Sequence, residues 1–75
     1  MTIDSIASDI YYLRGVDDVS VDDGPNRGTF YVDVTLLQSN TNIEREVTEI
    51  VEDYDGEVLG VDDAGRIITF LVEVR

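Results

Sequence analysis

The hexapeptide TFYVDV at residues 29–34 decides the fold, because it recurs as TFLVEV at residues 69–74. In both copies Phe, Val and Val occupy alternate positions, so they fall on one side of a strand. Polar residues occupy most of the positions between them. Each copy therefore predicts a long β-strand with one face buried in a core.

The similarity extends beyond this strand to a whole repeat. When residues 3–35 are placed over residues 43–75 without a gap, 9 of the 33 positions are identical. Four further positions exchange aspartate for glutamate. Similarity at a fixed period is the signature of a duplicated unit. We therefore predict one domain built of two αββ repeats, at about residues 2–37 and 41–75.

Each repeat is predicted to contain a helix and two strands. Apolar residues at helical spacing indicate the helices, and alternating apolar and polar residues indicate the strands. The predicted order is a helix over 3–14, a short acidic strand over 16–22, a long strand over 29–37, a helix that begins after Thr41, a short acidic strand over 57–62 and a long strand over 66–74.

Both helices carry residues that favour defined ends. Thr2 can cap the first helix, and Gly15 can adopt the left-handed conformation after its last turn. Thr41 and Glu44 have the spacing of a capping box at the start of the second helix. Gly56 is expected to end it.

The strand composition predicts the sheet order. The two long strands are the most apolar and should be central, while charge on the short strands suits the edges of a sheet. The predicted fold class is α+β, a four-stranded antiparallel sheet with both helices on one face. Its order is second short, second long, first long and first short strand.

The predicted core follows from the inward positions of these elements. The first repeat contributes Ile3, Ile6, Ile10, Leu13, Val19, Val21, Phe30, Val32, Val34 and Leu36. The second contributes Ile43, Val47, Ile50, Val51, Leu59, Val61, Ile68, Phe70, Val72 and Val74.

This layout resembles a ferredoxin-like fold whose first strand has moved to the end of the chain. In that respect it is similar to the ACT-like modules, which are regulatory and bind amino acids. No ligand-binding motif of those modules occurs here, so the resemblance implies no site residues. The composition is similar to that of small acidic hypothetical proteins of halophilic archaea.

Charge is the dominant feature of the composition. The 75 residues include 17 acids and 5 basic residues, all arginine, for a net charge of −12. Such a chain repels itself in dilute buffer, and molar salt screens most of that repulsion. We therefore expect a halophilic source. The alternative is an acidic surface that mimics nucleic acid or binds a basic partner.

A chain of this size buries a small core and usually needs further stabilisation. It contains no cysteine and no histidine, so we expect no disulfide, no common zinc or copper site and no cofactor. Without a histidine or lysine to activate a nucleophile, we expect no enzyme activity. No apolar run reaches the length of a membrane span, so a cytoplasmic protein is expected. A partner subunit is the remaining source of stability.

Three sequence features could bind ions or nucleic acid. The acids Asp22, Asp23, Asp62 and Asp63 lie in predicted turns and could bind cations, but they lack calcium-loop spacing. The glycine-rich segment 24–28 leads into a strand, so no helix N-terminus would meet a phosphate. The five arginines are too separated for a nucleic-acid stripe.

The outward face of the two long strands is the predicted functional surface. Alternation places Tyr31, Ile67 and Leu71 at its centre, with Thr29 and Thr69 beside them. An apolar patch with a charged rim is typical of an association surface. We expect a non-enzymatic interaction or regulatory module that forms a homodimer there. The alternatives are a nucleic-acid-associated protein and a small-ligand sensor of amino-acid type.

Overall fold

The computed structural model describes residues 2–75, which form two helices and four strands. The elements are α1 Thr2–Tyr11, β1 Val16–Asp23, β2 Thr29–Leu36, α2 Ile43–Asp53, β3 Glu57–Asp63 and β4 Ile67–Glu73. Neither helix is long and apolar enough to cross a membrane.

The four strands form one antiparallel sheet in the order β1-β2-β4-β3. This confirms the α+β class and the predicted strand order. Strands β2 and β4 are central because their inward positions are all apolar, and the acidic strands β1 and β3 are the edges. The prediction that the edge strands are shorter is wrong, since β1 and β2 both have 8 residues and β3 and β4 both have 7. Hydrogen bonding of the central pair runs from Thr29 opposite Glu73 to Thr35 opposite Ile67.

One hydrophobic cluster joins both helices to one face of the sheet. Its fully buried members are Ile3, Ile6, Ile10, Val32, Val34, Leu36, Ile43, Val47, Val51, Ile68, Phe70 and Val72. Half-buried residues pack around it, namely Leu13, Val16, Val19, Val21, Phe30, Ile50, Tyr54, Val58 and Val74. Most of the predicted core is therefore confirmed, and the opposite face of the sheet carries no helix.

Two predicted core residues, Leu59 and Val61, are exposed, so their assignment to the core is wrong. The pairing of β3 with β4 shifts by one residue between Val58 and Gly60, as in a β-bulge. Val58 packs against the core instead of Leu59. Val61 lies on an edge strand with a neighbour on one side only, so its side chain keeps a large exposed area.

The two hairpins differ in register. Val21 lies opposite Val32 in the first hairpin. The residue forty positions later, Val61, lies opposite Phe70 in the second. The second hairpin is shifted by two residues relative to the first, because its connecting turn is shorter. The two halves of the chain therefore bury equivalent residues to different extents.

The predicted capping box of α2 is wrong. Asn42 is the N-cap residue, and it makes no side-chain hydrogen bond to the helix. Asn40 organises this turn instead: its Oδ1 accepts from the backbone N–H of Asn42 at 3.0 Å, and its Nδ2 donates to Glu46 at 2.9 Å. An Asx turn before the helix thus replaces the expected exchange between Thr41 and Glu44.

Helix α1 ends at Tyr11, three residues earlier than predicted. The N–H groups of Tyr12 and Leu13 donate to carbonyls three residues back, which tightens the last turn. Gly15 then has a φ of 83°, as expected for the glycine that redirects the chain. The predicted left-handed conformation of Gly15 is confirmed, although Gly15 lies further from the last residue of the helix than predicted.

Helix α2 ends in a Schellman motif with an aspartate in the left-handed position. Asp55 has a φ of 61°. Its N–H donates to the carbonyl of Glu52 at 3.0 Å, and the N–H of Gly56 donates to that of Val51 at 2.9 Å. Gly56 is required for a different reason: a Cβ there would lie 2.8 Å from the carbonyl oxygen of Glu73.

Replacement of Asp55 by glycine is expected to stabilise the chain by about 0.5–1 kcal/mol. Glycine adopts the left-handed conformation freely, and the change also removes a negative charge beside the negative end of α2. Chemical denaturation at fixed salt measures the effect. Asp55→Ala is the control, since it removes the charge but keeps the strain; if it stabilised as much as glycine, backbone strain would not be the cause.

The two helices are linked by a hydrogen bond from the hydroxyl of Tyr54 to the Asp9 carboxylate at 2.7 Å. The ring of Tyr54 is half-buried against the core, while its hydroxyl lies at the surface. The hydrogen bond to Asp9 is the main cause that raises the pKa of Tyr54 above its usual value of 10.0. This bond joins the end of α2 to α1.

Candidate association surface

The open face of the sheet is built from outward side chains of β2 and β4 that lie directly opposite one another. Tyr31 is opposite Leu71, and Thr35 is opposite Ile67. Residues in direct register project from the same face of a sheet, 4.5–5.5 Å apart at Cβ. The register therefore pairs Tyr31 with Leu71, while Ile67 lies on the same face at the start of β4, separated from Leu71 by Thr69 and its partner Asp33.

Four of the five predicted interface residues lie on this face. Tyr31 is 38% exposed and Ile67 is 46% exposed, whereas Leu71 and Thr69 are half-buried by their neighbours. We call these four residues, Tyr31, Ile67, Thr69 and Leu71, the sheet patch.

The fifth residue, Thr29, is only 4% exposed, so the prediction that it belongs to the exposed patch is wrong. Its hydroxyl donates to the carbonyl of Asn26 at 2.6 Å and accepts from the N–H of the same residue at 3.1 Å. Thr29 thus closes the turn between β1 and β2. The turn residues 24–28 precede Thr29 and cover its side chain.

The acid at the centre of the face accepts a hydrogen bond from the neighbouring strand. Asp33 lies opposite Thr69 and accepts from its hydroxyl at 2.6 Å. This contact satisfies one carboxylate oxygen without a cation. The remaining acids of the face lie toward the edges, where Asp22 is opposite Tyr31 and Asp62 is opposite Thr69. The face therefore carries Tyr31 and Leu71 on one side of this polar pair and Ile67 on the other, with further acids toward its edges.

A shallow depression of about 250 Å³ lies beside the sheet patch, over the backbone of Gly60. We call it the Gly60 depression. Its lining consists of Tyr31, Gly60, Val61, Asp62, Thr69 and Leu71. The depression was not predicted from the sequence, although one signal was present: β3 has glycine at residue 60, forty positions after Ser20.

The turn acids do not come together. Asp22 and Asp23 end β1, Asp62 and Asp63 end β3, and these strands are opposite edges of the sheet. Asp63 accepts from the N–H of Gly65 at 2.9 Å, which is an ordinary turn contact. Over residues 2–75, no three acids gather as a metal site would require.

Two further surface features lie away from the sheet patch. A cavity of about 400 Å³ lies between the end of β2, the start of α2 and the β3–β4 turn, and its lining includes Glu44, Asp63 and Arg66. At the end of α1, Tyr12 is 82% exposed, and its ring meets that of Tyr11 edge to face at 5.8 Å. Sequence analysis predicted neither feature.

A comparison with protein-family models finds none that matches this sequence. A comparison with curated proteins also finds no match.

Proposed function

We propose that this chain is a small non-enzymatic interaction module that forms a homodimer through the sheet patch. The observation that carries the proposal is the pair of Tyr31 and Leu71 on the two central strands of a face that no helix covers, with the exposed Ile67 further along β4 on the same face. In a chain with 17 acids among 75 residues, an uncovered face should be polar. Apolar side chains on that face favour association.

The area of the face suits a weak dimer. Four strands of 7 or 8 residues span about 19 × 24 Å, or about 450 Å² in projection. Two copies would thus cover about 900 Å² in projection, and more in accessible area because the side chains project. That value is close to the lower limit of specific interfaces, about 1,000 Å². We expect a dissociation constant in the micromolar range.

The proposed dimer requires high salt. We therefore also propose that the chain comes from a halophilic source and is located in the cytoplasm. Two copies bring together a net charge of −24, twice the −12 of one chain. Residues 2–75 form one ion pair, in which Nε of Arg45 lies 3.7 Å from Oε1 of Glu49, and both side chains are mostly exposed. The acids are therefore largely uncompensated. At molar salt the Debye length falls to about 3 Å, so the repulsion between the two copies is screened while the attraction between their apolar side chains remains.

The duplicated αββ unit and the likeness to a permuted ferredoxin-like fold form part of the same proposal. The central register supports it, because Tyr31 lies opposite Leu71, the residue forty positions later. Two equivalent strands related by a two-fold axis would meet in this way. The different hairpin registers and the exposed Leu59 are then later divergences of one half.

Leu71→Asp is expected to convert the dimer to a monomer in molar KCl. The change places a charge at the centre of the apolar patch, where desolvation on association would be costly. Light scattering at a fixed high protein concentration measures the mass. Tyr12→Ser is the control, since it removes the most exposed aromatic side chain outside the sheet patch.

If Tyr12→Ser abolished the dimer and Leu71→Asp did not, the interface would lie at the end of α1. That result would contradict the assignment of the sheet patch.

A second candidate function is a small-ligand sensor, because the cavity beside α2 combines opposite charges. Arg66 could pair with a carboxylate, and Glu44 or Asp63 could pair with an ammonium group. This combination suits an amino acid in its zwitterionic form. Melting temperatures measured across a panel of amino acids test this function, with Arg66→Gln as the control variant. A shift that survives the substitution would place the ligand elsewhere.

A further inference from the structure

Gly60 lies at the middle of edge strand β3, opposite Leu71. Its φ is outside the left-handed region, unlike those of Gly15, Gly28 and Gly65. A Cβ built on Gly60 would have no heavy atom within 4 Å, apart from its own chain neighbours. Neither backbone conformation nor packing within the chain therefore requires a glycine at this position.

A glycine without an internal reason is unusual in a strand. Glycine is disfavoured there because it loses more conformational freedom on folding and offers no side chain to pack. The β-bulge beside it does not require glycine either, since only a left-handed bulge residue does so. A strand glycine also marks a place where another molecule approaches the backbone closely, and the open space above Gly60 suits such an approach.

The missing side chain leaves the Gly60 depression open. Its volume is about 250 Å³. A cavity of about 150 Å³ accommodates benzene, so the depression has room for an aliphatic or aromatic side chain. Its walls are mixed, with Leu71 and the Tyr31 ring as apolar members and Asp62 as the charged one.

We infer that the Gly60 depression receives a projecting apolar side chain from the sheet patch of a second copy. This inference rests on the proposed homodimer, and it identifies one contact that holds the two copies together. The projecting residues Tyr31 and Ile67 and the depression lie on one face of the same molecule. A two-fold dimer uses one surface on both subunits, so each copy can offer a side chain and a depression to the other.

The test is to fill the depression without altering the rest of the chain. Gly60→Ala and Gly60→Val add one and three carbon atoms at a position that is open in the monomer. Ser8→Thr is the control, since Ser8 is exposed on α1, away from the open face of the sheet, and also gains one methyl group. Sedimentation equilibrium in molar KCl gives the dissociation constant of each variant.

We expect Gly60→Ala to weaken the dimer by a few-fold and Gly60→Val by about tenfold or more, a factor that corresponds to about 1.4 kcal/mol. Ser8→Thr should leave the dissociation constant unchanged. Unfolding midpoints measured at a concentration where the chain is monomeric should not be lower in the Gly60 variants than in the wild type.

Three results would overturn the inference. If Gly60→Val dimerises as the wild type does while Leu71→Asp is monomeric, the dimer stands and the contact at Gly60 is wrong. If Gly60→Ala lowers the unfolding midpoint of the monomer, the glycine has a role within the chain. If the wild type is monomeric at every concentration, the proposed function fails together with the inference.

Discussion

Phe70→Ala is expected to lower the free energy of unfolding by about 3–5 kcal/mol, the usual cost of removing a fully buried phenylalanine. Phe70 is completely buried and lies on central strand β4, between Val32 on one side and Val61 on the other. A small domain has about 5–10 kcal/mol of stability in total, so the variant should be close to unfolding. Chemical denaturation in molar KCl measures the change.

Phe30→Ala is the matched comparison, since Phe30 occupies the same position in the first half of the chain. It is half-buried, and it lies between Val72 and the exposed Asp23 at the end of the sheet. We expect roughly half the destabilisation of Phe70→Ala, because less apolar surface is lost and water can enter the gap. If the two substitutions lowered the free energy of unfolding equally, the difference in burial between Phe30 and Phe70 would be contradicted.

Raising KCl from dilute buffer to molar concentration is expected to increase stability by about 2 kcal/mol or more, which is about 8–16 °C in melting temperature for a domain of this size. The reason is the net charge of −12, which opposes the compact state until salt screens it. Thermal unfolding followed by circular dichroism measures the effect. A melting temperature that does not change over this range would exclude the halophilic interpretation.

A charge-reduced variant is the control for specific effects of the salt. Changing Asp22, Asp23, Asp62 and Asp63 to asparagine gives a net charge of −8, from −12 plus 4. All four side chains are exposed at strand ends, so their packing contributes little. The variant should melt at a higher temperature in dilute buffer and respond less to KCl. An unchanged salt response would indicate that screening is not the cause.

Much of the fold could be predicted from the sequence because the determining pattern is strong and local. The alternation in residues 29–34 and 69–74 identifies the central strands, and charge identifies the edges. Once the long strands are central, short connections leave one antiparallel order. The observed order β1-β2-β4-β3 is that order.

Details that depend on one residue of register could not be predicted. The bulge in β3 exposes Leu59 and turns Val58 inward, but alternation alone favours the larger Leu. The cap of α2 depends on Asn40, which lies outside the spacing of a capping box. Such features are determined by tertiary contacts, which override local propensity.

The candidate site was predicted in part. Alternation places Tyr31, Ile67 and Leu71 on one face, and the register of β2 with β4 pairs Tyr31 with Leu71. It also places Thr29 there, but the hydrogen bonds to Asn26 bury that side chain. The Gly60 depression could not be predicted from the sequence, because only the structure shows that the space above this glycine is empty.

The measurement that tests the central claim most directly is the mass of the wild-type chain across a dilution series in molar KCl. Sedimentation equilibrium from about 1 μM to about 500 μM brackets the micromolar dissociation constant expected of a small interface. The proposed sheet-patch dimer predicts a shift from monomer to dimer, which is about 8.4 kDa to twice that value, and no larger species. A monomer at every concentration would contradict the claim.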